Sequence, residues 1–380
     1  MPESFDLNQT DRRLTTTRLD ADAVLRLAAQ VQSEIDAGAL LAAQYALAID
    51  GHLLSFESFG TATNDHRFVI FSATKPIAAA AIVRLAAAGA IDVTRPVGDY
   101  MPEFAPNGKD AVTVEQVMLM QGGFPQALIG PDAWGTSAGR RETFSTWTLD
   151  WPSGTRCEYH PVSAHWVLAE LIESLSQRPY ADAIHELVTK PAGIAQLLGP
   201  EMADHSAVID VRGYGARPND DVLLAAYGAR EFVPDVSVGA DALLTMNIPL
   251  ARAAGIPGGG AVARARDVAM LYQAWLHDPA LADAIGNVRN NLINETSKYP
   301  AHRTLLFEVA GNDNDNARRW FPADRARVFG HHGAGGQLCW ADPDTGLSFS
   351  FLHDTLDQDP VNEMRRSREI NELAAACIRE

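Results

Sequence analysis

Two β-like segments, AAQYALAI (42–49) and HLLSFESFG (52–60), flank the dipeptide Asp50-Gly51. That pair accepts the positive φ angles of a type I′ turn, so a β-hairpin is expected, and it limits the fold more than any other local feature. Two strands alone make a marginal sheet in water, so the hairpin needs partners. The other end of the chain supplies them: ARVFG (326–330), QLCWA (337–341) and LSFSFLHD (347–354) read as strands, with the turn DPDTG (342–346) between the last two. Val24, Leu27, Ala28, Val31 and Ile35 recur at helical spacing, and Gly38 follows as a stop. Asp359-Pro360 opens a final helix with Ile370, Leu373, Ala374 and Cys377 on one face.

These elements predict one α/β (α+β) sandwich: an antiparallel sheet of five or more strands, built from both chain ends and flanked by the terminal helices. Residues 1–75 and 265–380 would form the sheet domain, 76–264 a mostly helical insertion, with the active site between them. GIPGGG (255–260) is the expected return loop. No internal repeat or low-complexity linker interrupts the plan.

Hydrophobic residues at 47% and charged residues at 21% are ordinary for a globular chain and exclude a disordered or fibrous one. With 31 Lys and Arg against 48 Asp and Glu, the net charge is −17, a field that repels nucleic acid and anionic membranes. Cys157, Cys339 and Cys377 are too few and scattered for a disulfide framework or a zinc ribbon. The first residues, MPESFDLNQTDRRL, lack the apolar stretch of a secretory signal, and the apolar run Ile77–Val83 is broken by Arg84, short of the roughly 18 residues a membrane span needs. A soluble, cytoplasmic protein is the expectation.

Chemistry concentrates in three stretches. FSATKPIAAAAIVRLAAAG (71–89) is apolar on nearly every face from Ile77, so it should be a buried helix beginning at about Ser72, in N-cap position, with Pro76 tolerated near its start. Lys75 lies three residues on, over the same face as Ser72. A lysine at the mouth of an apolar helix is disfavoured in its charged form, and when neutral it can take a serine's proton. Equally, the pair can be a capping serine and a lysine reaching for solvent. PSGTRCEYHPVSAHWVLAELIE (152–173) places Tyr159 on a loop and opens a helix at about Ser163. FGHHGAGGQLCWADPDTG (329–346) is a glycine-dense turn entering a strand, with backbone N–H groups open to a ligand. His331-His332 is not read as a metal pair, because adjacent strand side chains point to opposite faces.

In this order, the three stretches resemble the serine β-lactamase and penicillin-binding-protein superfamily, specifically its class C-like branch and the family VIII carboxylesterases. GAIDVTRPVGDYMPEF (89–104), VTVEQVMLMQGGFP (112–125) and GIPGGGAVARARDVAMLYQAW (255–275) are similar to flanking segments of that family, so the resemblance runs from about residue 20 to 380. It implies Ser72 as nucleophile, Lys75 as its general base and Tyr159 as the acid/base group that protonates the leaving group. His331 and Gly333 match the His-x-Gly that replaces Lys-Thr-Gly in many esterases of the branch, and the oxyanion hole would be the N–H groups of Ser72 and Ala334. No metal or organic cofactor is implied; the partner is a small-molecule ester or amide, and oligomeric state is left open.

Two departures bear on substrate. The asparagine of the family's Tyr-x-Asn is Pro161, and the lysine of Lys-Thr-Gly is His331, mostly neutral near pH 7. Both favour esters over β-lactams, whose carboxylate calls for a permanent cation. Amide hydrolysis, acyl transfer and a catalytically silent ligand-binding domain are the alternatives. Gly135-Thr136-Ser137-Ala138-Gly139 fits Gly-x-Ser-x-Gly, but no strand precedes Ser137 as that elbow requires, so it is expected to be a loop residue. Phe124, His160 and Trp166 are possible pocket residues; His165 and Trp134 are read as structural or packed, and Cys157 as a small hydrophobe.

Overall fold

The computed structural model describes residues 18–199, 206–227, 240–312 and 320–379; the N-terminal segment read above for a signal sequence lies outside them. The hairpin forms as its sequence dictates: β1 (Ala42–Ile49) pairs antiparallel with β2 (His52–Gly60) around Asp50 and Gly51, whose φ values of 50° and 78° are those of the expected turn. Two short ladders lie outside the main sheet. β3 (Phe68–Val69) pairs with β5 (Val262–Ala263), and β4 (Arg212–Tyr214) runs parallel to β10 (Thr355–Asp357). The C-terminal strands β6 (Glu308–Val309), β7 (Phe329–Gly330), β8 (Leu338–Ala341) and β9 (Leu347–His353) complete an antiparallel sheet of order β2-β1-β9-β8-β7-β6. The expected joining of the two chain ends is the β1–β9 ladder, in which Ala43 pairs with His353 and Ile49 with Leu347.

Alternation along the two central strands builds the layers. Tyr45, Leu47 and Ile49 of β1, with Phe349 and Phe351 of β9, join the core of the terminal helices α1 (Ala21–Asp36) and α6 (Pro360–Ala375). On the opposite face β1 presents Ala42, Ala46 and Ala48 to the core that includes α5 (Ala265–Leu276). Ser348 and Ser350 of β9 are small enough to let α5 lie close, and their hydroxyls donate to the carbonyls of Ala269 (2.8 Å) and Ala265 (2.5 Å). Large residues on one face and small ones on the other thus set a helix–sheet–helix stack.

Between the chain ends run α2 (Lys75–Ala87), α3 (Ser137–Thr146) and α4 (Ser163–Ser176), with α2 packed on α4 and alanines giving the close approach. Among the described residues no helix is long and apolar enough to cross a membrane.

Gln273 of α5, fully buried, accepts from Gly51 N–H (2.9 Å) and donates to the carbonyls of Ala48 (3.0 Å) and Gly346 (2.8 Å). It therefore clamps both hairpin ends of the central strands. Gln273→Leu leaves buried backbone groups unpaired, at about 1–3 kcal/mol each. Urea unfolding should show a loss on the order of 2–4 kcal/mol with an unchanged m-value.

Candidate active site

The β3–β5 ladder brings the chain just before Ser72 against the chain that follows the glycine loop. After β3, Phe71 adopts φ 46°, a left-handed conformation that strains a bulky residue, and a 3₁₀ turn (Phe71–Thr74) runs into α2. The expected N-cap role of Ser72 is therefore corrected: Ser72 sits inside the 3₁₀ turn, the α-helix starts at Lys75, and Pro76 is tolerated in its first turn. Ser72 is half-buried between buried neighbours. Its hydroxyl is reachable while its backbone is fixed.

Lys75 is 2% exposed, and its Nζ meets three oxygens: Ser72 Oγ at 3.1 Å and the carbonyls of Pro161 and Gly258 at 2.8 Å each. The residue that removes the family's asparagine thus contributes its carbonyl to the lysine. Position 258 is closely packed: a Cβ there would lie 3.3 Å from Pro161 O and 3.6 Å from Lys75 Nζ. Lys75 Nζ also sits 4.8 Å from the centroid of the Tyr159 ring, and the guanidinium of Arg303 approaches the same ring at 5.5 Å. Arg303 is buried and ion-paired with Glu308. No motif marks Arg303, and sequence reasoning passed over it.

The turn 331–336 arrives from the C-terminal strands. The His331 ring lies 6.0 Å from the Tyr159 ring. Gly333 is pressed onto the residue two before the serine: a Cβ at 333 would fall 2.2 Å from Ile70 O. Ala334 is half-buried. Among the described residues, no backbone carbonyl takes the N–H of Ser72 or of Ala334. The structure therefore gathers Ser72, Lys75, Tyr159, His331 and Gly333, the last carrying Ala334 beside it.

His331 Nδ1 lies 2.8 Å from the His332 carbonyl, which only accepts, so Nδ1 carries the hydrogen; Nε2 is buried with no protein partner. Burial first, then the Arg303 guanidinium, hold His331 well below the usual histidine range. It is neutral more firmly than its sequence position alone implied.

Three pocket expectations are corrected. Phe124 has no exposed surface, stacked on Trp147 (5.7 Å) and edge-on to Phe104 (5.6 Å). His160 is a satisfied core histidine, its Nδ1 donating to Glu158 O (2.7 Å) and its Nε2 accepting from Phe124 N–H (3.2 Å). Trp166 is buried against Trp134 (6.2 Å) and Tyr180 (5.9 Å). Their apolar surface fills the helical core. Ser137 opens α3 rather than an elbow, and its hydroxyl is 2.5 Å from the buried carboxylate of Glu170, which also pairs with Arg140 and Arg141. The three cysteines are free and buried, and no cluster that could hold a metal occurs among the described residues.

His160 is lowered to about 4 and His332 to about 3, burial being the main cause in both, and His165, His331 and His353 fall in the same direction. The unfolded chain takes these protons near pH 6.5 while the folded chain refuses them. Stability present above pH 6.5 is therefore lost as the pH falls through about 4, each histidine contributing up to ~1.4 kcal/mol per pH unit. Glu363, raised to about 7 by burial, opposes this, as do Glu158, Asp267 and Asp357, which burial also raises. Calorimetry should show the melting temperature falling steadily from pH 6.5 to 4, and less so in His332→Gln.

Known proteins share this fold. The Beta-lactamase family model matches residues 27–373. The esterase/beta-lactamase LipL of Mycobacterium tuberculosis (strain ATCC 25618 / H37Rv) is 26% identical over 311 residues, 76% of this chain and 69% of that protein. A penicillin-binding protein homologue from Caulobacter crescentus superposes with a TM-score of 0.75 at 25% identity, over 94% of this chain and 98% of the other. A family VIII carboxylesterase does so with a TM-score of 0.75 at 21% identity over the same shares. With the family model spanning nearly the whole described fold, the chain belongs to the Beta-lactamase family.

Proposed function

We propose that this protein is a serine carboxylesterase that cleaves small esters through an acyl-Ser72 intermediate. The observation that carries the reading is the setting of Lys75 Nζ. Its neighbours include two backbone carbonyls, which only accept, and the Ser72 hydroxyl. A neutral amine spends its two N–H groups on the carbonyls and turns its lone pair to Ser72 Oγ, 3.1 Å away. The lysine is thereby built to receive the serine proton.

In this reading Ser72 Oγ attacks the ester carbonyl as its proton passes to Lys75. The oxyanion is held by the N–H groups of Ser72 and Ala334. Collapse expels the alcohol, which takes its proton by way of Tyr159, and water then repeats the sequence on the acyl-serine. Preference for esters rests on what positions 161 and 331 lack. Pro161 has no side-chain amide to hold a substrate amide, and neutral His331 gives a β-lactam carboxylate no cation. Arg303 does not replace that cation, because its side chain is 4% exposed and turned to Glu308. The family VIII carboxylesterase fits the ester reading, and LipL, by name an esterase/beta-lactamase, fits an ester as substrate without deciding against a β-lactam. No step requires a metal.

Turnover of p-nitrophenyl butyrate should fall by about 10³-fold or more in Ser72→Ala and in Lys75→Met, and stay near wild type in Ser137→Ala. EDTA should leave it unchanged. Nitrocefin should be hydrolysed far more slowly than the ester, and the amide of the same acyl group likewise; equal rates on nitrocefin and ester would overturn the ester reading.

A further inference from the structure

Thr74 occupies the second of the two free positions of Ser-x-x-Lys, between the proposed nucleophile and its base, and nothing above uses it. Its side chain has no exposed surface. Its Oγ1 accepts a hydrogen bond from Ala261 N–H at 3.1 Å. The carbonyl of the same Ala261 accepts from Ile70 N–H at 3.0 Å. Ala261 is thus bound on both sides of Ser72, two residues before it and two after it.

Ala261 closes the glycine loop, in which Gly259 and Gly260 N–H both donate to Ile256 O, at 3.0 and 2.7 Å. The loop's remaining carbonyl of consequence is Gly258 O, 2.8 Å from Lys75 Nζ. Beyond the loop, Val262 pairs with Val69 in the β3–β5 ladder. Three contacts therefore register the loop on the Ser72 turn: Ile70 N–H, Lys75 Nζ and Thr74 Oγ1. The Thr74 hydroxyl is the one uncharged side-chain group among them, and it lies one residue from the lysine it would register.

We infer that Thr74 is a positioning residue for Lys75: its hydroxyl holds the glycine loop so that Gly258 O takes one amine hydrogen and the lone pair faces Ser72. This rests on the reading of Lys75 as the base of Ser72. Without the hydroxyl, Ala261 N–H is left buried and unbonded, and the loop relaxes away from the turn. The amine then loses the acceptor that orients it, while the surface that binds substrate is untouched.

Thr74→Val keeps the shape and removes the hydroxyl; Thr74→Ser restores it. With p-nitrophenyl butyrate, Thr74→Val should lower kcat by about 10²-fold with KM within about twofold, the scale of loss when a reacting group is misplaced by about 1 Å. Thr74→Ser should recover most of that rate, which a purely structural role of the side chain would not require. A second readout is independent of the ester chosen: the rate at which an alkyl fluorophosphonate labels Ser72. There the Oγ–P bond forms, the P–F bond breaks, fluoride leaves and the serine proton passes to Lys75. Labelling should slow in Thr74→Val and recover in Thr74→Ser. If Thr74→Val melts below the assay temperature, Thr74→Ala, which leaves room for a water at Ala261 N–H, takes its place in both assays, with a smaller loss expected. Wild-type rates in the hydroxyl-free variant, or a Thr74→Ser as slow as Thr74→Val, overturn the inference while Ser72→Ala remains inactive. Full turnover in Ser72→Ala, or no labelling at Ser72 in the wild type, overturns the reading of Ser72 itself and takes the inference with it.

Discussion

The nitrogen of Lys75 is the point about which the middle of the molecule is arranged. A lysine with 2% exposure has given up its water, a loss that only well-placed acceptors can offset. Those acceptors come from three distant parts of the chain: the helix start at Ser72, the turn at Pro161 before α4, and the glycine loop at Gly258 before β5. Two of them are backbone carbonyls, which cannot swing aside as a side chain would. The demand for rigidity is met by the β3–β5 ladder and by Ala261. Burial and rigidity are here one constraint.

Around that nitrogen the local field opposes the global one. The chain carries a net charge of −17, yet two basic side chains, Lys75 and Arg303, are buried at the site and lie over the face of Tyr159. The Arg303 guanidinium joins burial in keeping the neighbouring histidines uncharged. A neutral His331 with its hydrogen fixed on Nδ1 presents a bare Nε2 lone pair, a different chemical group from the ammonium of Lys-Thr-Gly. Where the family motif has a charged donor, this chain has a neutral acceptor, and the proposed preference for esters rests on that difference.

The sheet was legible because its signals are local: Asp50-Gly51 fixes a turn, and period-two alternation fixes the faces of β1 and β9. The side chains of the site were legible for a different reason, since Ser72, Lys75, Tyr159, His331 and Gly333 each belong to a motif that has to keep its residue types. What escaped were contributions with no side-chain signature. Pro161 and Gly258 act through carbonyls, and a carbonyl looks alike at every position. Arg303 escaped because its role depends on a fold that brings it to Tyr159 from far along the chain. Phe124, His160 and Trp166, possible pocket residues for which packing was the stronger reading, fill the core, because large aromatic surface in a helical insertion is first needed there. Ser72 was misjudged as a cap for a subtler reason. The strained φ of Phe71 turns the chain one 3₁₀ turn before the helix, and nothing in the type of residue 71 announces a left-handed backbone.

The β1–β9 ladder carries a consequence for how the protein is made. Ala43 waits for His353, so the hairpin emerges from the ribosome long before the strand that covers its edge. Such long-range pairing is slow to form and leaves an apolar strand open in the meantime. Every residue of β1 is buried in the finished fold, so during synthesis the whole strand is surface that another chain can pair with. The architecture that joins distant parts of the chain in one sheet also ties completion of the sheet, and of the His331–Gly333 wall of the site, to strands synthesised long after β1. A truncated product holds the Ser72 turn and the lysine, and lacks the wall that would make them an enzyme.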